Sequence, residues 1–424
     1  MIRELKFLKN PYGKFIGNEY KYLLECLNSE KKKNFVMLLE EKFSKKVKSK
    51  YAIAFNSGTS TLHACLAALD VGYEDEVISP AQTVIMCTFA ILARNAKPVY
   101  ADIDPNTFNV DPKDIERKIT KKTKAIIAVH MHGLPANMID IMRISKKYKI
   151  PVIEDSAQCV LGKIDKRLSG SFGQLTSYSF ETKKHLSGFE GGMVTTNNKF
   201  LAEKVRKFGG LGYKTLKASR SLTALLPSIF QSPYFKRHDS LGLNYRMNEI
   251  TAAVVLGQLE KVDQLVDRRI TVAKLFLSAI KNCKWLVPQY VPKKYKHTYW
   301  TIALKYYGKE KIGLKWKDFY KIYKNKIKDG FYGGLSVVPE EPILKNFQNI
   351  KKLIPNYNKC NYCKSGLKKC VDTKKEFACR NAYAVQPIMI QLKANYRNIK
   401  EAKLKSKKLK ILLSDLDKNI SVLN

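Results

Sequence analysis

Apolar residues along the first two-thirds of the chain alternate between two spacings. YAIAF (51–55) is a short apolar run, and STLHACLAAL (60–69) after it repeats its apolar positions at helical spacing. DEVIS (75–79) precedes a second helix-like stretch near 85–94. KPVYAD (97–102), KAIIAVH (124–130) and IPVIED (150–155) follow, again with helical stretches between. In MIDIMRISKKYK (138–149) the apolar residues Met138, Ile141, Met142 and Ile144 share roughly one helical face. LTSYSF (175–180) and GGMVTT (191–196) read as two strands close together, with a lysine-containing segment between them. Alternation of this kind predicts an α/β fold, a mainly parallel sheet covered by helices.

The pattern then changes. Residues 212–239 hold Ser, Pro and aromatics with no clean period and read as a long excursion. NEITAAVVLGQLEKVDQLVDRR (248–269) is one helical run leading towards a second unit. Beyond about 265 the chain is richer in lysine and mixed in pattern, which predicts a smaller C-terminal α+β domain. The expected division is an N-terminal arm (1–30), a large domain (31–265) and a small domain (266–424).

Composition narrows the class. Hydrophobic residues make up 45% and aromatics 11%, enough for a packed core in 424 residues. The first residues, MIRELKFLKNPYGKF, are polar and broken by Pro11, and no apolar run approaches the ~18 residues of a membrane span, so a soluble cytoplasmic protein is expected. The formal charge is +40, from 77 basic against 37 acidic side chains. An excess of that size raises a basic nucleic-acid-binding protein as one reading. Against it, 64 of the basic residues are Lys and 13 are Arg, and Arg is the side chain suited to gripping guanine and phosphate.

Three segments carry candidate chemistry. NSGTST (56–61) lies where a strand hands over to a helix; Gly58 lets the backbone approach an anion, and Thr59 and Ser60 offer amides and hydroxyls there. The same residues also suit plain helix capping. EDSAQ (154–158) ends another strand, so Asp155 is either a loop cap or a carboxylate holding a buried cation, and Gln158 can be turned back to the same ligand. SYSFETKKHLSGFEGG (177–192) presents Lys183 and Lys184 side by side; a nucleophilic lysine must be neutral part of the time, and spacing alone does not say which of the two is. A phosphate cradle, a carboxylate and a lysine after three different strands fit one cofactor, pyridoxal 5′-phosphate.

The ordered segments NSGTSTLHACLAAL, DEVISPAQT, PVYADIDPNTFNV, KAIIAVHMHG, EDSAQ, SFETKKHLSGFEGG and LGLNYRMNEITAAVVLGQLEKVD span about residues 50–265. In them the chain resembles the DegT family of pyridoxal-phosphate-dependent nucleotide-sugar aminotransferases. DGFYGG (329–334) and QPIMIQLKANYRN (386–398) look like a long-chain branch of that family. The resemblance implies the aspartate-aminotransferase-like fold type I. It also selects a lysine. The family's cofactor lysine lies five residues after the Ser of the S-F pair and six before the Glu of E-G-G, and both counts from Ser179 and Glu190 reach Lys184.

By the same resemblance Asp155 pairs with the cofactor's ring nitrogen, Gln158 lies beside its oxygen substituent, and Gly58, Thr59 and Ser179 hold its phosphate. Asn244 matches an Asn that reaches the phosphate from the neighbouring subunit, which implies a homodimer with shared sites; read without the family it is a loop Asn satisfying its own backbone. The implied reaction moves an amino group, from glutamate by family habit, to a keto-sugar nucleotide in amino-sugar biosynthesis such as that of surface polysaccharide. A dehydratase branch of the family replaces the lysine with His; His185 is adjacent, but the register gives Lys at the key position. One departure stands out: PAQTV puts Val84 where relatives carry an aromatic residue that stacks on the ring.

Nine cysteines, five of them scattered, do not form a secreted disulfide pattern. The last four, Cys360, Cys363, Cys370 and Cys379, form C-x2-C-x6-C-x8-C. Four thiolates can close a tetrahedral zinc site. The later gaps are irregular, and reduced, partly buried thiols are the simpler expectation.

Overall fold

A computed structural model of the chain describes residues 17–28, 33–219, 227–345 and 379–421. Its centre is a seven-stranded sheet. In chain order the strands are β1 (Tyr51–Phe55), β2 (Glu76–Pro80), β3 (Lys97–Ala101), β4 (Thr123–Val129) and β5 (Val152–Asp155). Two short strands follow, β6 (Lys163–Ile164) and β7 (Arg167–Leu168), and then β8 (Leu175–Ser179) and β9 (Gly192–Thr196). The spatial order is β1-β9-β8-β5-β4-β2-β3. β9 runs antiparallel to both β1 and β8, and all other pairings are parallel. Every strand except β9 therefore ends on the same edge of the sheet. β6 pairs with both β7 and β11 (Tyr295–Lys296) in a small separate sheet.

Among the described residues the helices of the first part are α1 (Glu19–Leu27), α2 (Phe35–Val47), α3 (Gly58–Ala68), α4 (Met86–Leu92), α5 (Pro112–Arg117), α6 (Met138–Tyr148), α7 (Lys199–Gly209), α8 (Pro227–Phe230), α9 (Glu249–Leu259) and α10 (Val262–Ile280). They cover both faces of the sheet, which explains why its strands are apolar runs rather than alternating ones. Ile53 and Phe55 of β1 join one cluster with α3 and α7, while Ala52 and Ala54 join another with α2 and α9. In β4, Ala125, Ile127 and Val129 face the first cluster, and Ile126 and Ala128 face a third that includes Ile141 and Ile144 of α6. Side-chain caps set several starts: Asn34, Asp111, Asn137, Asn198 and Asn248 each accept an amide of the helix that follows.

The run 248–269, one helix by its period, is two. α9 ends at Leu259, and Lys261, at φ −116° and ψ 15°, leaves helical geometry before α10 starts. The break has a tertiary cause. Glu260 accepts hydrogen bonds from Asn18 Nδ2 (2.7 Å) and Tyr22 Oη (2.5 Å), so α1 and its lead-in grip the joint. Hydrophobic spacing does not register a kink of one or two residues.

α10 then links two cores. Val262, Leu265 and Val266 pack with α2 and α9, whereas Val272, Ala273, Phe276 and Ile280 pack against a second sheet. That sheet holds β10 (Leu286–Pro288), β12 (Thr301–Tyr306), β13 (Tyr332–Gly333) and β14 (Met389–Lys393) in the order β10-β12-β14-β13, all antiparallel. Its core includes Phe319 and Tyr323 of the helix Trp316–Ile327 and Leu409 and Leu413 of the helix Ile399–Ser421. The boundary expected at 265 falls inside α10. No helix among the described residues is long and apolar enough to cross a membrane.

Candidate active site

The parallel strands deliver their chemistry to one edge. β1 ends at Phe55, and Ser57 caps α3 through a reciprocal pair with Ser60. The first-turn amides of α3, those of Gly58 and Thr59, point out of the helix with no intrahelical acceptor. Ser179 ends β8 directly beneath them. A Cβ added at Gly58 would lie 2.8 Å from Ser179 Cβ and 3.0 Å from its Oγ, closer than real side chains approach. Glycine is required at 58 so that the helix N-terminus and the Ser179 hydroxyl can share one small space. Thr61 Oγ1 and Ser177 Oγ, 2.6 Å apart, tie helix and strand one layer below.

Asp155 ends β5, two strands from β9 and next to β8, and pairs in register with Ser177. It is 2% exposed. Its Oδ1 accepts the Ala157 amide (2.9 Å), and among the described residues Oδ2 has only the Cys87 thiol, at 3.8 Å. Burial pushes the carboxyl above its usual range; the Ala157 amide and then the charge of Lys184 work the other way. A carboxylate so placed needs a cationic partner.

Lys183 and Lys184 lie in the connection between β8 and β9. The two differ as the sequence leaves open. Lys183 is exposed, with its ammonium 5.5 Å from the Tyr332 ring centre. Lys184 is half-buried, with its amine 4.6 Å from the centre of the Trp300 ring. Burial drives the Lys184 amine below the ordinary lysine range, and the nearby Asp155 charge partly restores it. The surroundings of Lys184 thus favour the neutral amine a nucleophile needs.

Gln158 is buried, and its Oε1 accepts the His132 amide (2.8 Å). His132 follows the end of β4 with φ 60°, and its Nδ1 lies 3.1 Å from Thr301 Oγ1. Its Nε2 is buried without a hydrogen-bond partner, and burial pushes the ring down to about 4, so it is neutral at physiological pH. Val84 packs, partly buried, against the cluster of Cys87, Val129 and Met131, and supplies no ring at that position. Thr59 is partly buried at the second position of α3.

Asn244 stands apart from these groups. It is exposed, and its Oδ1 accepts from Arg246 Nε (3.0 Å). Its segment flanks the phosphate-cradle loop of the same chain, since the Asn56 amide donates to the Tyr245 carbonyl (2.8 Å). His185 turns away from the edge: it is buried and pairs through Nε2 with the Thr298 carbonyl (3.0 Å). Three of the clustered cysteines, Cys360, Cys363 and Cys370, lie outside the described residues. Cys379 is buried beside Lys118 Nζ, at 3.6 Å. Among the described residues no group of three or more His, Cys, Asp or Glu could hold a metal ion.

Sequence reading missed Trp300, Arg269 and His132. Arg269 passes for a polar position on a helical run, and Trp300 for one of three scattered tryptophans. Only the tertiary fold brings them to the lysine.

The donor set fits pyridoxal 5′-phosphate. Amides and a hydroxyl meet in a cradle that a Cβ would fill, a buried carboxylate has one nearly unmatched oxygen, and a lysine is biased towards its neutral form. Such groups on the shared edge of a mostly parallel seven-stranded sheet define a pyridoxal-phosphate-dependent transferase of fold type I. The comparisons with known proteins agree. The chain belongs to the DegT/DnrJ/EryC1/StrS aminotransferase family, whose sequence model matches residues 16–325. It is 35% identical over 304 residues to the GDP-perosamine synthase of Escherichia coli O157:H7, an alignment covering 71% of this chain and 78% of that one. The GDP-perosamine synthase of Caulobacter vibrioides is 37% identical over 251 residues, 58% of this chain and 63% of that one. Among solved structures, the aminotransferase from Psychrobacter cryohalolentis superposes with a TM-score of 0.78 at 25% identity, covering 95% and 98% of the two chains.

Proposed function

We propose that this aminotransferase moves an amino group from glutamate to a keto-sugar carried on a nucleotide diphosphate, for the synthesis of an amino sugar of the kind used in surface polysaccharide. Support for the sugar comes from the GDP-perosamine synthases at 35% and 37% identity. The observation that carries the site assignment is the contrast between the two lysines, one exposed and one half-buried beside Asp155.

Bound pyridoxal phosphate supplies an electron sink that makes a proton on the adjacent carbon of the amine removable. The chain's own groups do the rest. The Gly58 and Thr59 amides and the Ser179 hydroxyl hold the phosphate, at the positive end of α3. Asp155, kept from water, would hold a proton on the ring nitrogen of a bound cofactor, which would answer its own need for a cation. Gln158, fixed by the His132 amide, would lie beside the oxygen substituent of a bound cofactor. Lys184 would hold the cofactor, and its amine, biased by burial towards the neutral form, would take up and return the proton at the carbon of the donor amine. Proton transfer by a positioned group is worth roughly 10²–10⁴-fold. Asn244 completes the phosphate site of a partner subunit in a homodimer, which accounts for its exposure here.

His185, the residue adjacent to the lysine, faces the Thr298 carbonyl, so it does not support the dehydratase reading. Borohydride reduction with pyridoxal phosphate, followed by peptide mapping, tests the assignment: the label belongs on Lys184. A screen of keto-sugar nucleotides with glutamate, with Lys184→Ala as control, tests the substrate. Label on Lys183, or none, sinks the site; labelled protein that aminates no sugar nucleotide sinks the substrate.

A further inference from the structure

Arg269 of α10 is 6% exposed, and no ion pair to it forms among the described residues. Its guanidinium binds three backbone carbonyls instead. Nη2 donates to Lys183 O (3.0 Å) and Lys184 O (2.9 Å), and Nη1 donates to Trp300 O (2.9 Å). The Trp300 indole closes the arrangement, donating through Nε1 to Lys183 O (3.1 Å), while its ring lies against the Lys184 amine. Burying a guanidinium is costly, and the nearby Glu181 charge, opposed by that of Arg268, offsets burial only in part. A neutral side chain could pack here more cheaply, so a charge retained on these carbonyls calls for a functional explanation.

We propose that Arg269 is a positioning residue for this reaction: by gripping the carbonyls of Lys183, Lys184 and Trp300 together it fixes the backbone from which the Lys184 side chain reaches, and locks the lysine loop to the start of β12. The inference rests on Lys184 being the cofactor lysine. Its physical basis is geometric. Three donors in one rigid plane hold two chain segments in a single relative position, which no ammonium can do. A lysine that must swing between two carbons needs its Cα held still, and a displacement of about 1 Å can cost on the order of 10²-fold in rate. The charged groups facing Lys184 are Asp155 from β5, Glu181 and Glu190 from its own loop, and Arg269 from α10.

The test compares Arg269→Met, which keeps the apolar bulk, with Arg269→Lys, which keeps the charge. Both are expected to lose about 10- to 100-fold in kcat with KM within about threefold of wild type. Trace acetylation of Lys184 in cofactor-free protein, read by peptide mass mapping against pH, separates grip from charge. Its midpoint should move to higher pH in Arg269→Met and stay near wild type in Arg269→Lys. Borohydride label on Lys184 in wild type and variants confirms the lysine. Wild-type kcat in either variant, with that label present, overturns the proposal. So does a fall in melting temperature and a rise in KM with kcat intact, which would mark Arg269 as merely structural. Wild-type label elsewhere than Lys184 overturns the reading of the site and the inference with it.

Discussion

A side chain at position 58 would put its first carbon 2.8 Å from Cβ of Ser179, so the start of α3 and the end of β8 sit as close as a glycine allows. That approach makes a pocket lined by amides and one hydroxyl. Gly58→Ala must push the two elements apart, at a cost of about 1–3 kcal/mol for overpacking. Affinity for pyridoxal phosphate, measured by fluorescence titration, is expected to fall at least about tenfold. Ser179→Ala removes one hydrogen bond and leaves the spacing, so its loss should be smaller.

Asp155 gives a prediction with opposite signs for activity and stability. Its carboxyl is raised by burial, so the folded protein holds the proton more tightly than the unfolded chain. The resulting stability is complete below the ordinary Asp value and is lost as pH rises through the raised one. Cofactor-free Asp155→Asn should therefore melt higher than wild type at neutral pH, with the gap closing on acidification. The same variant with cofactor should lose at least about 10²-fold in kcat, the scale of one preorganised electrostatic contact.

Glu40 and Arg206 form a buried bidentate pair, 3.0 and 2.9 Å, and Glu40 also accepts the Ala54 amide of β1. Removing one partner strands the other charge, and Glu40→Gln or Arg206→Met should each cost about 3–5 kcal/mol in denaturant unfolding. The double variant Glu40→Met/Arg206→Met should recover much of that loss, because neither charge remains.

The proposed homodimer with shared sites predicts complementation. Lys184→Ala and Asn244→Asp are each expected to be nearly inactive, yet unfolding and refolding them together should restore activity, since one site of each mixed dimer is intact. If activity stays absent in a mixture shown to contain mixed dimers, Asn244 acts within its own chain.

Much of the fold was legible because its strands are buried on both sides. Runs such as AIIAV in β4 can only be core, and the intervening helices announced the parallel sheet. The kink at Lys261 was not legible, because its cause is a pair of hydrogen bonds from residues 18 and 22, more than two hundred positions away. In the site, Gly58, Asp155 and Ser179 sit at strand ends, a place that sequence can name. The expectation of Lys184 over Lys183 rested on the family register, and the fold adds a physical argument for it, half-burial against Trp300. Arg269 was invisible because its partners are backbone carbonyls, which leave no mark on residue type.

The reversed direction of β9 has a consequence for the lysine itself. An ordinary crossover would carry the chain away from the edge after β8 and return it through a helix. Here the segment leaves Ser179 and comes back to Gly192 on the adjacent strand, pinned where the Phe180 amide meets the Gly191 carbonyl (2.8 Å) and the Gly188 amide meets the Phe180 carbonyl (2.9 Å). Both ends of the loop are moored to the same rim, so in the role proposed for Lys184 only its side chain would have to travel while the backbone beneath it stays in place.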